Sequence, residues 1–346
     1  MPRPNDAAVS LQRSASNWLQ SRWYGQRDPG LLLRSLESIF RKAVTLRQAA
    51  YLGGKKPIER LPVPVIVVGN LTVGGTGKTP LTLWLADFLK QQGYRPGIVS
   101  RGYGGRKHRQ PLIVGTDTTA EEAGDEPVLM AHHSGCPVCV FPQRAEAARA
   151  LLAATDCNLI LADDGLQHYA LGRDIEIAVV DGVRGFGNGH CLPAGPLREP
   201  PERLASVDLV VHSGTGPAGS LVMTLLGDTA VNLLDPGQRR PLASFAGQRA
   251  HAIAGIGHPQ RFFEHLREYG LTLEPRVFPD HHAYRRDDLA FAGTASVLMT
   301  EKDAVKCQGF SAPNLWYVPV AARLPAGFGE QLLTQLRTKT HGQETA

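Results

Sequence analysis

The sequence predicts an α/β fold, a doubly wound and largely parallel sheet with a phosphate-binding loop, followed by a smaller C-terminal α/β domain. Three observations predict it. Apolar runs of strand length recur at 63–69, 95–100, 138–141, 159–163, 175–180 and 209–212, without the polar alternation of a half-exposed sheet. Helical periodicity fills the gaps between them at 79–92 and 144–154. After residue 248 a shorter set begins, with apolar runs at 251–256, 296–299 and 316–320 and helical stretches at 260–269 and 330–337. The Gly- and Pro-bearing stretch 235–247 reads as the hinge. The expected domains are therefore 1–245 and 246–346.

The 346 residues exceed one ordinary domain, and 42% hydrophobic with 20% charged residues is the balance of a chain that buries a sizeable core. No apolar run reaches the roughly 18 residues of a membrane span. The polar segment 1–17 lacks the layout of a secretory signal. Five cysteines are too few, and odd in number, for a disulfide framework, which points to a reducing compartment. Cys136 and Cys139 have redox or zinc spacing, but no second such pair exists and both lie on or beside an apolar run, so they read as buried structural thiols.

Charge is unevenly placed. Residues 1–62 carry 11 Lys and Arg against 4 Asp and Glu, which leaves 26 against 28 for the remainder. A nucleic-acid enzyme spreads its basic residues along a groove, so no nucleic-acid partner is expected. Within the basic segment, 29–53 predicts an amphipathic helix with Leu31, Leu32, Leu33, Leu36, Ile39, Phe40, Ala43, Val44 and Leu46 on a broad apolar face, flanked by Arg34, Arg41, Lys42 and Arg47. Such a helix serves either an anionic membrane interface or a protein core with a solvated basic face.

The strongest chemical signal is PVIVVGNLTVGGTGKTPLTLWLADFL. An apolar strand runs into a Gly-rich loop ending Gly77-Lys78-Thr79 and then into a helix, so backbone N–H groups and the helix N-terminus face a phosphate. Gly74, Gly75, Thr76, Gly77, Lys78, Thr79 and Pro80 are the expected nucleotide-binding residues, with Lys78 on the phosphates and Thr79 on Mg²⁺. The first glycine of the general motif is replaced by Thr72. Next, NLILADDGLQH ends a buried strand in Asp163-Asp164, where adjacent carboxylates favour a nearby cation; both are expected at the metal. GDEP (124–127) offers Asp125 as a proton acceptor or a helix cap. FPDHHAY (278–284) offers a metal site, a base or a surface turn. The run 300–303 places its lysine one position late for a guanine-reading element, so GTP is not expected.

Taken in order, GNLTVGGTGKTP (69–80), SRGYGG (100–105), GDEP, DDGLQH (163–168) and GNGHCLPAGPLREP (187–200) closely resemble the tetraacyldisaccharide 4′-kinases of Gram-negative bacteria. FPDHH and TEKDAVK (300–306) extend the resemblance into the smaller domain. It covers roughly 18–320, and the family shares the departure at Thr72. The resemblance implies transfer of the γ-phosphate of ATP to the 4′-hydroxyl of tetraacyldisaccharide 1-phosphate, giving lipid IVA. It also implies a peripheral location at the cytoplasmic face of the inner membrane, with ATP and Mg²⁺ required.

Carried over by motif, the resemblance gives Lys78, Asp125 and His281 catalytic roles, the last two as a dyad completed when the smaller domain closes. Arg101, Arg144, Gln167, His168, Asn188 and Arg198 fall in or beside family segments as candidate substrate contacts. A lipid acceptor favours the interfacial reading of the 29–53 helix. The rival class is a ParA- or MinD-like switch ATPase, which carries a lysine where this chain has Val73.

Overall fold

The structure, a computed structural model, describes residues 18–25 and 27–341; the polar segment 1–17 lies outside them. Helix α1 (Leu31–Leu52) precedes β1 (Val65–Gly69), α2 (Lys78–Gln91), β2 (Pro96–Ser100), β3 (Leu112–Ile113), α3 (Asp125–Ser134), β4 (Val138–Val140), α4 (Arg144–Ala154), β5 (Leu159–Asp163), β6 (Ile175–Asp181), β7 (Leu209–Ser213) and β8 (Leu221–Leu226). The chain then enters a second sheet through β9 (Thr229–Asn232), β10 (Arg239–Pro241), β11 (Arg249–Ala254), α5 (Pro259–Glu268), β12 (Thr272–Val277), β13 (Val297–Thr300) and β14 (Leu315–Val318). It returns with β15 (Ala321–Arg323) and α6 (Phe328–His341).

The large sheet has the order β15-β8-β7-β6-β1-β5-β2-β4-β3, parallel except at its two edge pairs. Strands β1, β2, β5 and β6 are buried along their whole length, which is why they read as unbroken apolar runs. One face carries Leu81, Leu85 and Leu89 of α2 with Phe328, Leu332 and Leu336 of α6. The other carries Ala147, Ala148 and Leu151 of α4, with Phe40 of α1 at its margin. The second sheet, β10-β9-β14-β13-β11-β12, has a core of its own around Phe245, Phe263 and Trp316.

Two expectations are corrected here. The stretch 235–247 is not the hinge, because Phe245 and Leu242 are wholly buried in the second core. The chain instead leaves the large sheet after Leu226 and rejoins it at Ala321, which pairs with Leu226. The smaller unit is thus an insertion, and the last strand and helix belong to the large sheet rather than to a domain 246–346. The C-terminal helix runs on to His341, and 342–346 lie outside the described residues.

Candidate active site

Parallel pairing of β1 with β5 sets Val68 opposite Asp163, so the phosphate loop and the strand-end carboxylates emerge together at the carboxyl edge of the sheet. The loop is braced from inside, where Asn70 Nδ2 donates to Thr76 Oγ1 at 3.1 Å and to the Gly74 carbonyl at 3.4 Å. Thr72 bridges Leu197 in antiparallel fashion, and Val73 N donates to the Pro196 carbonyl at 2.8 Å. An extended residue therefore suits the place where the general motif has glycine. Gly77, at φ 92°, turns the chain into α2 through a left-handed conformation that glycine alone takes freely.

Helix α2 starts with no side-chain cap, leaving its first-turn N–H groups for an anion. A methyl group placed on Gly74 or Gly75 would meet nothing within 4 Å, so the loop borders open space. These features fit a nucleotide's phosphates.

The two carboxylates differ sharply in partners. Asp164, with a left-handed backbone (φ 47°), receives Arg198 Nη1 at 2.9 Å on both oxygens and has Lys78 Nζ 3.5 Å away. Burial works against its charge, but Lys78 and Arg198 hold the carboxyl well below the usual range. Asp163 is 1% exposed, and its hydrogen bond comes from Thr82 Oγ1 at 3.5 Å. Burial, followed by the charge of Glu126, pushes it up to about 7. A desolvated carboxylate is what a hard divalent cation relieves, so Asp163 fits Mg²⁺ better than Asp164, whose charge Arg198 and Lys78 already answer at close range. Among the described residues no group of three or more His, Cys, Asp or Glu could hold a metal by itself.

Asp125 opens α3 and is 3% exposed. His281, 156 positions away in the second unit, sets Nδ1 at 3.0 Å from both of its carboxylate oxygens. Burial opposes the charge of Asp125, yet His281 and Lys302 hold its carboxyl below the usual range. The imidazole stacks edge-on against Tyr103, with ring centres 4.8 Å apart. Gly257, on the turn after β11, ties this pair to the phosphate loop. A methyl group there would lie 3.5 Å from Gly75 N and 3.8 Å from Asp280 Oδ2, next to His281.

Residues 30–337 match the family described as tetraacyldisaccharide-1-P 4′-kinase (LpxK). The chain belongs to that family. It is 54% identical over 315 residues to the tetraacyldisaccharide 4′-kinase of Nitrosococcus oceani, covering 91% of this chain and 93% of that protein. It is 48% identical to that of Methylobacillus flagellatus, covering 94% and 98%. The crystal structure of LpxK from Aquifex aeolicus in complex with ATP superposes with a TM-score of 0.74 at 29% identity, covering 87% of this chain and 98% of that one. As a tetraacyldisaccharide 4′-kinase, the chain phosphorylates the 4′-hydroxyl of a lipid A precursor.

Around the phosphate loop, the expected substrate contacts of this kinase are placed unevenly. Arg101 is exposed near His168, which burial and then the charges of Arg144 and Arg101 push down to about 3, leaving a neutral ring. Arg144 is buried, and its guanidinium donates to the Phe141 carbonyl at 3.1 Å and the Asp163 carbonyl at 3.4 Å, so it braces the carboxylate turn. Gln167 donates to Glu199 at 2.9 Å and to the Asn70 carbonyl at 3.2 Å. Asn188 closes its own loop through the Ala194 carbonyl at 2.9 Å. Arg198 is committed to Asp164. Of the six, Arg101 is the one whose side chain is exposed. Cys136 and Cys139 are buried free thiols, and burial pushes Cys139 up to about 11.

Sequence reasoning missed the partners of these groups. Glu199 is bound by Tyr169 and Gln167, and Arg203 pairs with Glu176 at 2.6 Å. In helix α1 the inward stripe includes Leu33, Glu37, Phe40 and Val44, whereas Leu31, Ile39 and Leu46 are 83%, 67% and 71% exposed. Buried Glu37 accepts from Cys191 N and pairs with His190 Nδ1, both at 2.8 Å. A lone acid amid the apolar positions was the sequence signal for which face points inward. No helix among the described residues is long and apolar enough to cross a membrane.

Proposed function

We propose that the chain moves the γ-phosphate of Mg-ATP to the 4′-hydroxyl of tetraacyldisaccharide 1-phosphate, giving lipid IVA, while seated peripherally on the cytoplasmic face of the inner membrane. The observation that carries the catalytic assignment is the 3.0 Å contact of His281 with Asp125, beside a turn that rests on the phosphate loop. Proton acceptor and phosphate cradle then border the same space. ATP as donor is supported by the uncapped start of α2 and by the ATP complex of the Aquifex aeolicus relative.

The Asp125–His281 dyad takes the proton of the 4′-hydroxyl as its oxygen bonds to the γ-phosphorus. The bond from that phosphorus to the bridging oxygen breaks, and its electron pair leaves on ADP. Lys78 and the α2 N-terminus receive the charge that develops on the phosphate oxygens. Mg²⁺, when bound at Thr79 and Asp163, supplies neutralisation of the same charge. Asp164 holds Lys78 in place and is itself fixed by Arg198. The smaller unit covers the loop and keeps water from the phosphorus.

Membrane seating is supported by α1, whose exposed leucines and isoleucine sit among Arg34, Arg41, Lys42 and Arg47 while Glu37 fastens its other side to the 187–200 loop. The test is transfer from labelled Mg-ATP to tetraacyldisaccharide 1-phosphate in micelles. A doubly phosphorylated lipid made by wild type and lost in Lys78→Ala, Asp125→Ala and His281→Ala upholds the assignment. ATP hydrolysis without lipid labelling overturns it.

A further inference from the structure

The charged groups facing Asp125 come almost entirely from the inserted unit. Besides His281, Lys306 Nζ lies 3.6 Å from Oδ2 and Lys302 Nζ lies 3.9 Å from Oδ1. The one charged neighbour on its own helix is Glu126, which pairs with Lys302 at 3.2 Å, as Asp280 does at 3.3 Å. Lys302 is thus shared among three carboxylates. Lys306 is not. Its side chain is 6% exposed, ion-paired with Asp303 at 2.8 Å without a hydrogen bond of regular geometry, and 5.3 Å from the centre of the Tyr284 ring.

Asp303 is wholly buried and saturated, accepting from Thr300 Oγ1 at 2.6 Å, Gly255 N at 3.0 Å and Tyr284 OH at 3.1 Å. Gly255 opens the same turn that carries Gly257 onto the phosphate loop. Between Lys302 and Lys306, Val305 packs against Val128 and Leu129 of α3, so the segment 301–307 docks on the helix that Asp125 begins.

We propose that Lys306 is a positioning residue for phosphoryl transfer. Anchored by Asp303, it fixes the Asp125 carboxylate as the anionic partner of His281, and the dyad is complete only while segment 301–307 sits on α3. The inference deepens the reading of Asp125 and His281 as the proton-accepting pair and rests on it. The physical reason is the cost of a buried carboxylate with too little opposing charge, since without Lys306 it keeps only His281 and a Lys302 divided among three carboxylates. Without the ammonium, Asp125 takes up a proton or turns away, and in either state it no longer orders the imidazole. Lys306 does not touch the hydroxyl. It acts through Asp125 and reports through Asp303 whether the turn over the phosphate loop is seated.

The experiment is steady-state transfer in micelles across pH for wild type, Lys306→Met, Lys306→Arg, Asp303→Asn and Asp125→Ala, with thermal melts alongside. Lys306→Met is expected to lower kcat by about 10- to 100-fold with both KM values nearly unchanged, since misplacing a catalytic group costs turnover rather than binding. The acidic limb of its kcat profile moves up by about one pH unit as Asp125 loses an opposing charge. Lys306→Arg recovers most of kcat. If Lys306→Met does not fold, Asp303→Asn must shift the same limb in the same direction.

An unmoved limb in a folded variant, or a raised KM for ATP with kcat intact, overturns the role of Lys306 while leaving the dyad standing. Full activity in Asp125→Ala sinks the dyad, and the lysine's role with it.

Discussion

The phosphate loop and the Asp125–His281 pair are built in opposite ways. The loop is local. Asn70, Thr76, Gly77 and Lys78 fall within ten residues, and one strand, one turn and one helix place them all. The pair is remote, since Asp125 and His281 meet only because the inserted unit rests on α3. A local cradle stands as soon as the large sheet folds, whereas a remote pair depends on a contact between units. Nucleotide binding should therefore survive damage that abolishes transfer, and the variants below separate the two.

Lys78→Ala removes a donor inside the cradle and should have the largest effect, about a 10³-fold loss of kcat/KM for ATP by labelled-phosphate transfer. Asp125→Ala and His281→Ala should each lower kcat by about 10² to 10³-fold while nucleotide affinity by calorimetry stays near wild type. The double variant should be no worse than about threefold below the weaker single one, because the two act as a unit.

The remote pair also carries a pH signature. The carboxyl of Asp125 is lowered in the folded chain, so its stabilising contribution is present above the unfolded value near 4 and is lost as pH falls through the folded value. Thermal melts of wild type and Asp125→Asn should thus differ by a constant amount at neutral pH and converge in acid.

Smaller effects are expected away from both regions. Leu36→Ser with Ile39→Ser and Leu46→Ser should weaken binding to anionic vesicles by at least about tenfold and leave ATP affinity alone. Glu37→Gln keeps the shape of the buried anchor but not its charge. It should lower stability by about 1 kcal/mol, read by urea unfolding.

The same contrast governs what the sequence discloses. Strands β1, β5 and β6 were legible almost to the residue because a strand buried on both faces must be apolar throughout. Strand β12 was not, since TLEPRV lies on an edge, is largely exposed and contains Pro275; β10 is the short run Arg239–Pro241. Phe245 was passed over as part of a Gly- and Pro-rich hinge, because loop composition does not reveal that a single aromatic side chain is a core anchor.

In the site, Lys78 and Asp163 announced themselves by spacing. His281 was legible through the family resemblance alone, since no local pattern says which distant carboxylate a histidine will meet. The different partners of Asp163 and Asp164 were not legible at all, because Arg198, 34 residues on from Asp164, decides them. The amphipathic character of α1 was readable, but its orientation hung on Glu37 and the loop that receives it.

The way the second sheet is inserted has a consequence for the chain as material to be rebuilt. Exit and re-entry each span two residues, 227–228 and 319–320, and a methyl group on Gly227 would come within 3.0 Å of the Pro319 carbonyl. The severed ends of the large sheet are already neighbours in register, Leu226 opposite Ala321. The inserted unit can therefore be treated as a cassette. Cutting at both junctions and joining Leu226 to Ala321 through a short turn keeps the hairpin of β8 and β15, and with it the packing of α6. Grafting another small domain at the same seam would replace the Gly257 turn that rests on the phosphate loop with a foreign neighbour.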